Sequence, residues 1–240
     1  SVDTGYFGQD TLAGTRLRTE LRDVAASVSI ITKEFMQDIG ANNLEGLLTY
    51  TVGTEVSGLG GNFSGASSDA NFTDSISTVR SVQGSNRVRG LGGADQTRDY
   101  FISSLPMDGY NTERVEISRG PNANIFGLGN AAGTVNLQPA NANLTRGRSQ
   151  LSARVDSFGG NRSTLDLNRV FIPGVLAARG SFALQHDGFT RRPSGTDTVR
   201  YNAMVRYKPF RQTTLSAAFS WYSLEGNRPN TTTPRDAITG

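Results

Sequence analysis

Five consecutive segments beyond about residue 146 alternate apolar with polar residues, and this pattern constrains the fold more than any other feature of the chain. Successive side chains of a β-strand point to opposite faces, so each segment would form a strand with one apolar and one polar face. The apolar positions are Leu151, Ala153 and Val155; Leu165 and Leu167; Phe182 and Leu184; Tyr201, Ala203, Val205 and Tyr207; and Leu215, Ala217, Phe219 and Trp221. Repeated segments of about ten residues with this alternation are typical of transmembrane β-barrel walls.

The alternation alone leaves a second fold open, because the strands of a soluble β-sandwich alternate in the same way. The links between the segments favour the barrel. Tight links such as IPGV and KPFRQT occur between longer polar ones, GFTRRPSGTDT and LEGNRPNTTTPRDAITG, although the first outer link, GGN, is short. Short turns on the periplasmic side and long loops on the outer side are usual in outer-membrane barrels. Aromatic residues also gather near the segment ends, where interfacial girdles lie: Phe158, Phe171, Phe189, Tyr207, Phe210 and Tyr222.

Five strands cannot close a barrel around a separate domain, since even the smallest closed barrels have about 8 strands. We therefore expect the chain to be a fragment of a larger protein. Residues 1–145 would form an N-terminal domain, and residues 146–240 would form about the first five strands of an incomplete barrel.

The N-terminal part mixes helical and strand periods and predicts a small α+β domain with a mixed sheet and short helices. Residues 28–32 predict a strand, and residues 33–39 predict a helix that ends at Gly40. Asn43 is a candidate N-cap for a second helix over 44–50. Further short strands are expected at 87–89, 100–102 and 114–118, and a long loop rich in Gly, Ser, Asn and Ala at 56–74.

Composition excludes several classes of site. The chain has no cysteine and a single histidine, His186, which rules out disulfides, thiolate metal sites and paired-histidine metal sites. The net charge is only +3 and the basic residues are dispersed, which disfavours nucleic-acid binding. No catalytic arrangement is recognisable, so we expect neither an enzyme nor a bound cofactor. No apolar run approaches the ~20 residues of a membrane helix, and no signal peptide is visible at the first residues.

The stretch GLGNAA, residues 127–132, fits the G-x-G-x-x-G/A pattern of dinucleotide-binding loops. Such a loop must join a strand to a helix, so that phosphate meets the helix N-terminus. Here the following residues, Gly-Thr-Val-Asn-Leu, favour a strand, and the preceding ones resemble a helical turn. This inverted context argues against a nucleotide site.

The stretch Glu113–Arg119 carries charges on both faces of a predicted strand. Arg114 and Glu116 share one face. Glu113 and Arg119 share the other face with two apolar residues, which indicates that this face is at least partly covered. Burying an unpaired ion is costly, so these charges need partners, and the polar lining of a barrel could supply them.

Four stretches together resemble the TonB-dependent outer-membrane receptors, in particular the siderophore-type members. They are LRDVAASVSIITKEFMQDIGANNLEGLLTYTVG, NRVRGLGG, YNTERVEISRGPNANIFGLGNAAGTVNLQPA and FGGNRSTLDLNRVFIPGVLAARGSFALQHDG. The first three resemble the plug domain, and the last resembles the first barrel hairpins. The match runs in order from about Gly14 to Trp221. Phe126 replaces the usual tyrosine, and Ala132 replaces the first glycine of a usual Gly-Gly pair.

The resemblance implies a plug enclosed by an outer-membrane barrel of about 22 strands. It implies active transport of a scarce ligand, first of all a ferric siderophore, while a cobalamin or a glycan stays open. The partner protein TonB would pull on an N-terminal box, which we expect upstream of Ser1. The other partners would be the transported ligand and the lipid of the outer membrane, and the cargo could carry iron. A non-transporting signalling receptor or a secreted β-rich binding module is the alternative.

Three sets of site residues follow from the resemblance and from expected loop positions. Ligand contacts are expected in apical loops at Asn62, Phe63, Asp95, Gln96, Arg98, Met107 and Tyr110. Charge contacts between plug and barrel are expected at Arg89, Glu113, Arg114, Glu116 and Arg119. Glycines with permissive backbone angles or close packing are expected at Gly90, Gly120, Gly127, Gly129 and Gly133.

Overall fold

The computed structural model describes residues 3, 5–13, 17–56, 86–120, 127, 130–188 and 193–227. The chain divides into two compact units, residues 1–140 and residues 141–240. The assignment of a plug domain up to residue 145 and a barrel from residue 146 stays a prediction.

The first unit contains nine strands, two short α-helices and two 3₁₀ turns among its described residues. The strands are β1 Asp10–Thr11, β2 Thr19–Glu20, β3 Ser27–Thr32, β4 Thr54–Val56, β5 Asn86–Val88, β6 Asp95–Arg98, β7 Phe101–Ile102, β8 Thr112–Arg119 and β9 Gly133–Pro139. The helices are α1 Lys33–Asp38 and α2 Leu44–Leu48, and the 3₁₀ turns are Leu21–Asp23 and Gly109–Asn111. This mixture confirms the expected α+β class.

Five of these strands form the central sheet, in the order β3-β8-β9-β6-β7. β8 pairs antiparallel with β3 and β9, whereas β6 runs parallel to β9. The register defines two ends of this sheet. The Arg119 end comprises Ser27, Arg119, Gly133 and Asp95, and the Arg114 end comprises Thr32, Arg114, Thr112, Pro139 and Arg98.

Both helices begin at capping residues, and the second of these caps, Asn43, is the one that the sequence indicates. The Thr32 side chain accepts a hydrogen bond from Phe35 N, and the Asn43 side chain accepts one from Gly46 N at 2.8 Å. Each cap satisfies an amide that the first helical turn leaves without an intrahelical partner. Among the described residues, no helix is both long enough and apolar enough to cross a membrane.

The helices cover one face of the central sheet and form the core of the first unit. Their buried side chains pack against the apolar residues of β8 and β9. The fully buried members of this core include Met36, Leu47, Leu48, Val88, Val115, Ile117 and Val135. Fully burying one such side chain stabilises the fold by about 1.5–3 kcal/mol, so this cluster holds the helices on the sheet.

The second unit is a single antiparallel sheet of five strands that follow one another in chain order. They are β10 Arg148–Val155, β11 Asn161–Ile172, β12 Leu176–Gly188, β13 Gly195–Phe210 and β14 Thr213–Asn227. The links from β11 to β12 and from β13 to β14 are tight turns, whereas longer links join β10 to β11 and β12 to β13. All five predicted segments therefore form strands, each somewhat longer than its alternating stretch.

The apolar face of this sheet is the exposed one. Leu151 is 76% exposed, Phe219 58% and Trp221 40%, whereas the polar residues Asp166 and Asn202 on the opposite face are buried. Tyr201 stacks on Trp221 across β13 and β14, with ring centroids 5.0 Å apart. A soluble sandwich would turn this apolar face inward, as a core of its own. The observed arrangement is that of a barrel wall, which presents its apolar face to lipid.

Cross-strand register sets the limits of the apolar band. Along β12, the exposed face is apolar or small from Leu176 to Leu184, about 26 Å along the strand at ~3.3 Å per residue. The next row toward the long links is polar. In it, His186 pairs with Asp197 at 2.7 Å, and Glu225 lies opposite Asp197 on β14. At the usual strand tilt of ~35–45°, this length corresponds to about 20 Å across the membrane, somewhat less than the ~25 Å apolar band of barrel walls.

Candidate functional site

The polar face of the central sheet holds a buried ion cluster around β8. Glu116 is 0% exposed, and it accepts hydrogen bonds from Arg114 Nη2, from the Tyr100 hydroxyl and from Gln138 Nε2, the last at 3.0 Å. β8 is thus buried on both faces, apolar against the helices and charged on the other side. Such a charge is tolerated in the interior because its lone pairs are satisfied.

Tyr100 reaches Glu116 from a tight turn between β6 and β7. Asp99 and Tyr100 both have positive φ, 49° and 66°, which is unusual for residues other than glycine. The Asn136 side chain accepts a hydrogen bond from Tyr100 N at 2.7 Å, and this contact holds the turn. Burial raises the pKa of Tyr100 well above its usual value, and the adjacent Glu116 charge raises it further. The phenol therefore stays protonated and can donate to the carboxylate.

The N-terminal segment covers this cluster. Arg114 Nη1 donates to the Asp3 carboxylate at 3.2 Å, and Arg114 Nη2 donates to the Asp10 carbonyl at 2.7 Å. Gly8 packs so closely on Ile30 of β3 that a Cβ would lie 2.3 Å from its Cγ2 atom. Burial alone would lower the pKa of Arg114, but the Glu116 and Asp3 charges outweigh it and raise that pKa. The N-terminal segment is therefore held at the Arg114 end of the sheet by its contacts with the buried Arg114 side chain.

These contacts correct the expected role of two residues. Arg114 and Glu116 were expected to face a barrel lining, yet each is almost fully buried, and the partners described above all belong to the first unit. The reason is that the N-terminal segment and Tyr100 already supply the counter-charge and the donors that a buried ion pair needs. Glu113 and Arg89, by contrast, are exposed.

At the Arg119 end of the central sheet, the arginine donates to neutral oxygen atoms. Arg119 Nη1 donates to Ser29 Oγ at 2.8 Å, and Nη2 donates to the Val52 carbonyl at 2.7 Å. Partial burial lowers the pKa of Arg119. Arg89 has a positive φ of 59° and lies nearby, with its Nη1 atom 3.5 Å from the position that a Cβ on Gly120 would occupy. Positive φ at a non-glycine residue is a form of strain that is often stored at functional sites.

The predicted ligand residues do not form one site among the described residues. Asn62 and Phe63 lie outside the described ranges. Asp95, Gln96 and Arg98 belong to strand β6 and not to a loop, because they pair with β9 inside the sheet, and Gln96 is buried there.

Met107 lies between β7 and β8, outside any helix or strand, as expected, but its side chain is buried in the core of the first unit. Asp95 lies at the Arg119 end, where its carboxylate accepts from Asn130 Nδ2 at 3.0 Å. Arg98 lies at the Arg114 end, and Tyr110 lies in the 3₁₀ turn that precedes β8. Burial lowers the pKa of Arg98, an effect that the nearby Tyr110 and Asp99 oppose.

The GLGNAA stretch leads into strand β9, as its sequence context indicates, and not into a helix. Gly90, Gly120, Gly127 and Gly133 all have positive φ, and Gly129 lies outside the described residues. Within the described ranges, no group of three or more acidic or histidine side chains is spaced to hold a metal ion.

Sequence patterns do not predict that Asp3 and Asp10 of the N-terminal segment contact Arg114. Asp3 and Asp10 are separated from Arg114 by more than a hundred positions and have no periodic relation to β8. The only signal was the excess charge on both faces of the Glu113–Arg119 stretch, which showed that a partner was needed without showing which one.

A comparison with known protein families finds a match for most of the first unit. Residues 20–134 match the family model described as the TonB-dependent Receptor Plug Domain. The match covers β3, both helices, β8 and the start of β9, and therefore most of the central sheet of the first unit.

Curated relatives match a longer part of the chain than the family model does. The catecholate siderophore receptor Fiu of Escherichia coli strain K12 is 29% identical over 161 residues, which cover 66% of this chain and 19% of Fiu. The metal-pseudopaline receptor CntO of Pseudomonas aeruginosa is 28% identical over 164 residues, 68% of this chain and 21% of CntO. The chain thus spans about a fifth of the length of these relatives.

A solved structure supports the fold of both units. FpvA of P. aeruginosa, determined bound to heterologous pyoverdines, superposes with a TM-score of 0.76 at 19% identity. The superposition covers 91% of this chain and 28% of that receptor.

Proposed function

Since the chain is a TonB-dependent, siderophore-receptor-like protein of the bacterial outer membrane, we propose that the whole receptor imports a ferric siderophore by active transport, with the first unit as a plug that gates the barrel lumen. One observation carries this proposal: a plug-family domain is followed in the same chain by a sheet whose apolar face is exposed. The matched relatives are receptors, which confirms the expectation that this protein is not an enzyme.

We further propose that the two ends of the central sheet serve different partners. TonB would act on the N-terminal side of the chain, and the N-terminal segment is clamped at the Arg114 end. β8 has eight residues, so the two ends are about 24 Å apart at ~3.4 Å per residue. A small ligand that arrives from the opposite side of the membrane would then meet the Arg119 end, where Arg89 is exposed.

Transport is tested in cells that carry the full-length receptor as their sole uptake route for a radiolabelled ferric catecholate. We expect uptake to stop when an uncoupler collapses the proton gradient, while binding at the cell surface persists. The reason is that binding needs only the receptor, whereas TonB needs the proton-motive force. Uptake that continues unchanged in the presence of the uncoupler would contradict active transport.

If the two ends serve different partners, two variants of the full-length receptor should have opposite outcomes. Arg89→Gln, at the Arg119 end, is expected to weaken binding of the ferric catecholate about tenfold, because a charge-assisted hydrogen bond contributes ~1.5–3 kcal/mol. Arg98→Gln with Tyr110→Phe, at the Arg114 end, should leave the affinity within about twofold. Equilibrium binding of the radiolabelled complex to purified receptor measures both.

The Arg98 and Tyr110 variant also serves as the matched control, since it removes one guanidinium from the same sheet. If that variant alone loses affinity, the Arg114 end faces the ligand and the assignment is reversed. Hydrogen exchange of the β8 amides checks that neither variant unfolds the first unit.

A further inference from the structure

One edge of the barrel sheet is strongly basic. The short-turn edge is the edge formed by residues 144–148, 172–176 and 207–213, and it carries no acidic residue. Its basic residues, together with Arg169 just above the β11 end, form what we name the basic rim: Arg146, Arg148, Arg169, Lys208 and Arg211. The opposite edge is different, since it holds the carboxylates of Asp156, Asp187, Asp197 and Glu225. Of the two edges, the opposite one thus carries the acidic residues, and its sequence also includes the basic residues Arg154, Arg191 and Arg192.

Backbone hydrogen bonds bring the parts of the basic rim together. Gly174 N donates to the Leu144 carbonyl at 2.9 Å, which holds the segment before β10 against the first tight turn. Lys208 N donates to the Val175 carbonyl at 2.7 Å, which joins the end of β13 to the same turn. The basic residues are therefore neighbours along one edge although they are distant in sequence.

Within the basic rim, Arg169 is the residue that needs a partner from outside the described residues. It lies on the exposed, apolar face of β11, in the row above Phe171 and opposite Ala178 of β12. No carboxylate of the described residues pairs with it, because the nearest acidic residue along β11, Asp166, faces the other side and is taken by Arg179 at 2.6 Å. An arginine on a lipid-facing surface is costly unless its long side chain reaches the polar interface and meets an anion there.

Exposed aromatic and apolar side chains accompany this charge. Phe171, Ile172, Tyr207 and Phe210 are all exposed at the same edge. Aromatic rings at this depth are typical of the boundary between the hydrocarbon layer and the headgroups. The phosphate of a phospholipid lies just beyond its acyl chains. An arginine side chain that extends past the aromatic rings would therefore reach the depth of that phosphate.

From the basic rim and its aromatic border we infer that this edge binds an anionic glycerophospholipid, with Arg169 as the principal contact to the phosphate. Short turns mark the periplasmic side of an outer-membrane barrel, so the lipid belongs to the periplasmic leaflet. Basic residues at a membrane surface attract anionic lipid, and basic pockets between membrane-spanning elements bind acidic headgroups. This inference rests on the membrane location of the strands and is independent of the transported ligand.

The test uses the full-length receptor in nanodiscs that contain phosphatidylcholine and an increasing fraction of phosphatidylglycerol. Native mass spectrometry counts the phosphatidylglycerol molecules that stay on the protein after release. Arg169→Gln is expected to reduce this retention about fivefold, and Arg169→Lys should restore part of it, because the charge returns without the planar fork. Arg22→Gln, an exposed arginine of the first unit, is the matched control and should leave retention unchanged.

Two outcomes would overturn the inference. In the first, wild type and Arg169→Gln retain equal amounts of phosphatidylglycerol. In the second, the variant loses phosphatidylcholine as strongly as phosphatidylglycerol, which would show that the site has no preference for negative charge. Siderophore binding by the same variant is expected to be normal, so a failure here is distinct from a failure of the proposed import function.

Discussion

Replacing Glu116 with alanine is expected to lower the free energy of unfolding of the first unit by about 3–5 kcal/mol, because it leaves a buried guanidinium without its closest counter-charge. Glu116 is fully buried, and within the described residues Arg114 would keep ion pairs with Asp3 and Asp10 alone. The Tyr100 hydroxyl and the Gln138 amide also lose their acceptor. Native-state hydrogen exchange of the β8 and β9 amides in the purified full-length receptor measures the loss.

Two further variants separate charge from packing in this experiment. Glu116→Gln keeps a hydrogen-bond acceptor of the same shape and is expected to cost less than Glu116→Ala. Glu113→Ala removes an exposed carboxylate from the same strand and should change the exchange free energy by no more than about 0.5 kcal/mol. Equal effects of Glu113→Ala and Glu116→Ala would mean that the buried cluster adds nothing specific to stability.

A second large loss is expected for Gly133→Ala, at the junction where β8 ends and β9 begins. A Cβ at this position would lie 2.0 Å from the Ser118 carbonyl oxygen and 3.0 Å from Arg119 Cα, so backbone atoms would have to move. The residue also has a φ of +113°, which residues with a side chain rarely adopt. We expect a destabilisation of about 4 kcal/mol or more, and therefore a first unit whose β8 and β9 amides exchange far faster than in wild type.

Gly90→Ala provides the matched control for this glycine. Gly90 also has a positive φ, +69°, but nothing lies within 4 Å of its Cβ position. Its substitution should cost only the backbone strain of about 1–2 kcal/mol. If both alanine variants show the same protection, the close approach of Gly133 to β8 is not a constraint on the fold.

Local signals account for the parts of the fold that were predicted well. The helix at residue 33 starts after a capping threonine, and the helix at residue 44 starts after a capping asparagine. The five barrel strands follow from the alternation of apolar and polar residues, because a period of two specifies both the strand and its two faces. These signals lie within a few positions of one another, so they can be read along the chain.

The errors concern residues whose environment depends on distant segments. Asp95–Arg98 is expected in an apical loop from its position in the resemblance, yet it pairs with β9 as an interior strand. Met107 follows a proline and precedes an Asp-Gly turn, which indicates an exposed loop, yet it is buried in the core. At Met107, tertiary packing overrode a weak local preference.

The sequence by itself determined the two kinds of architecture in this chain, a small α+β unit followed by strands with one lipid-facing side, because periodicity and capping act locally. Only the tertiary structure decided which charges are interior. Arg114 and Glu116 became a buried pair because the N-terminal segment, more than a hundred residues away in sequence, folds over them. Arg169 lies on the exposed face by the alternation of β11, and strand register places Ala178, not a carboxylate, opposite it on β12. A charge needs a partner wherever water is excluded, and the fold alone determines which groups come close enough to provide one.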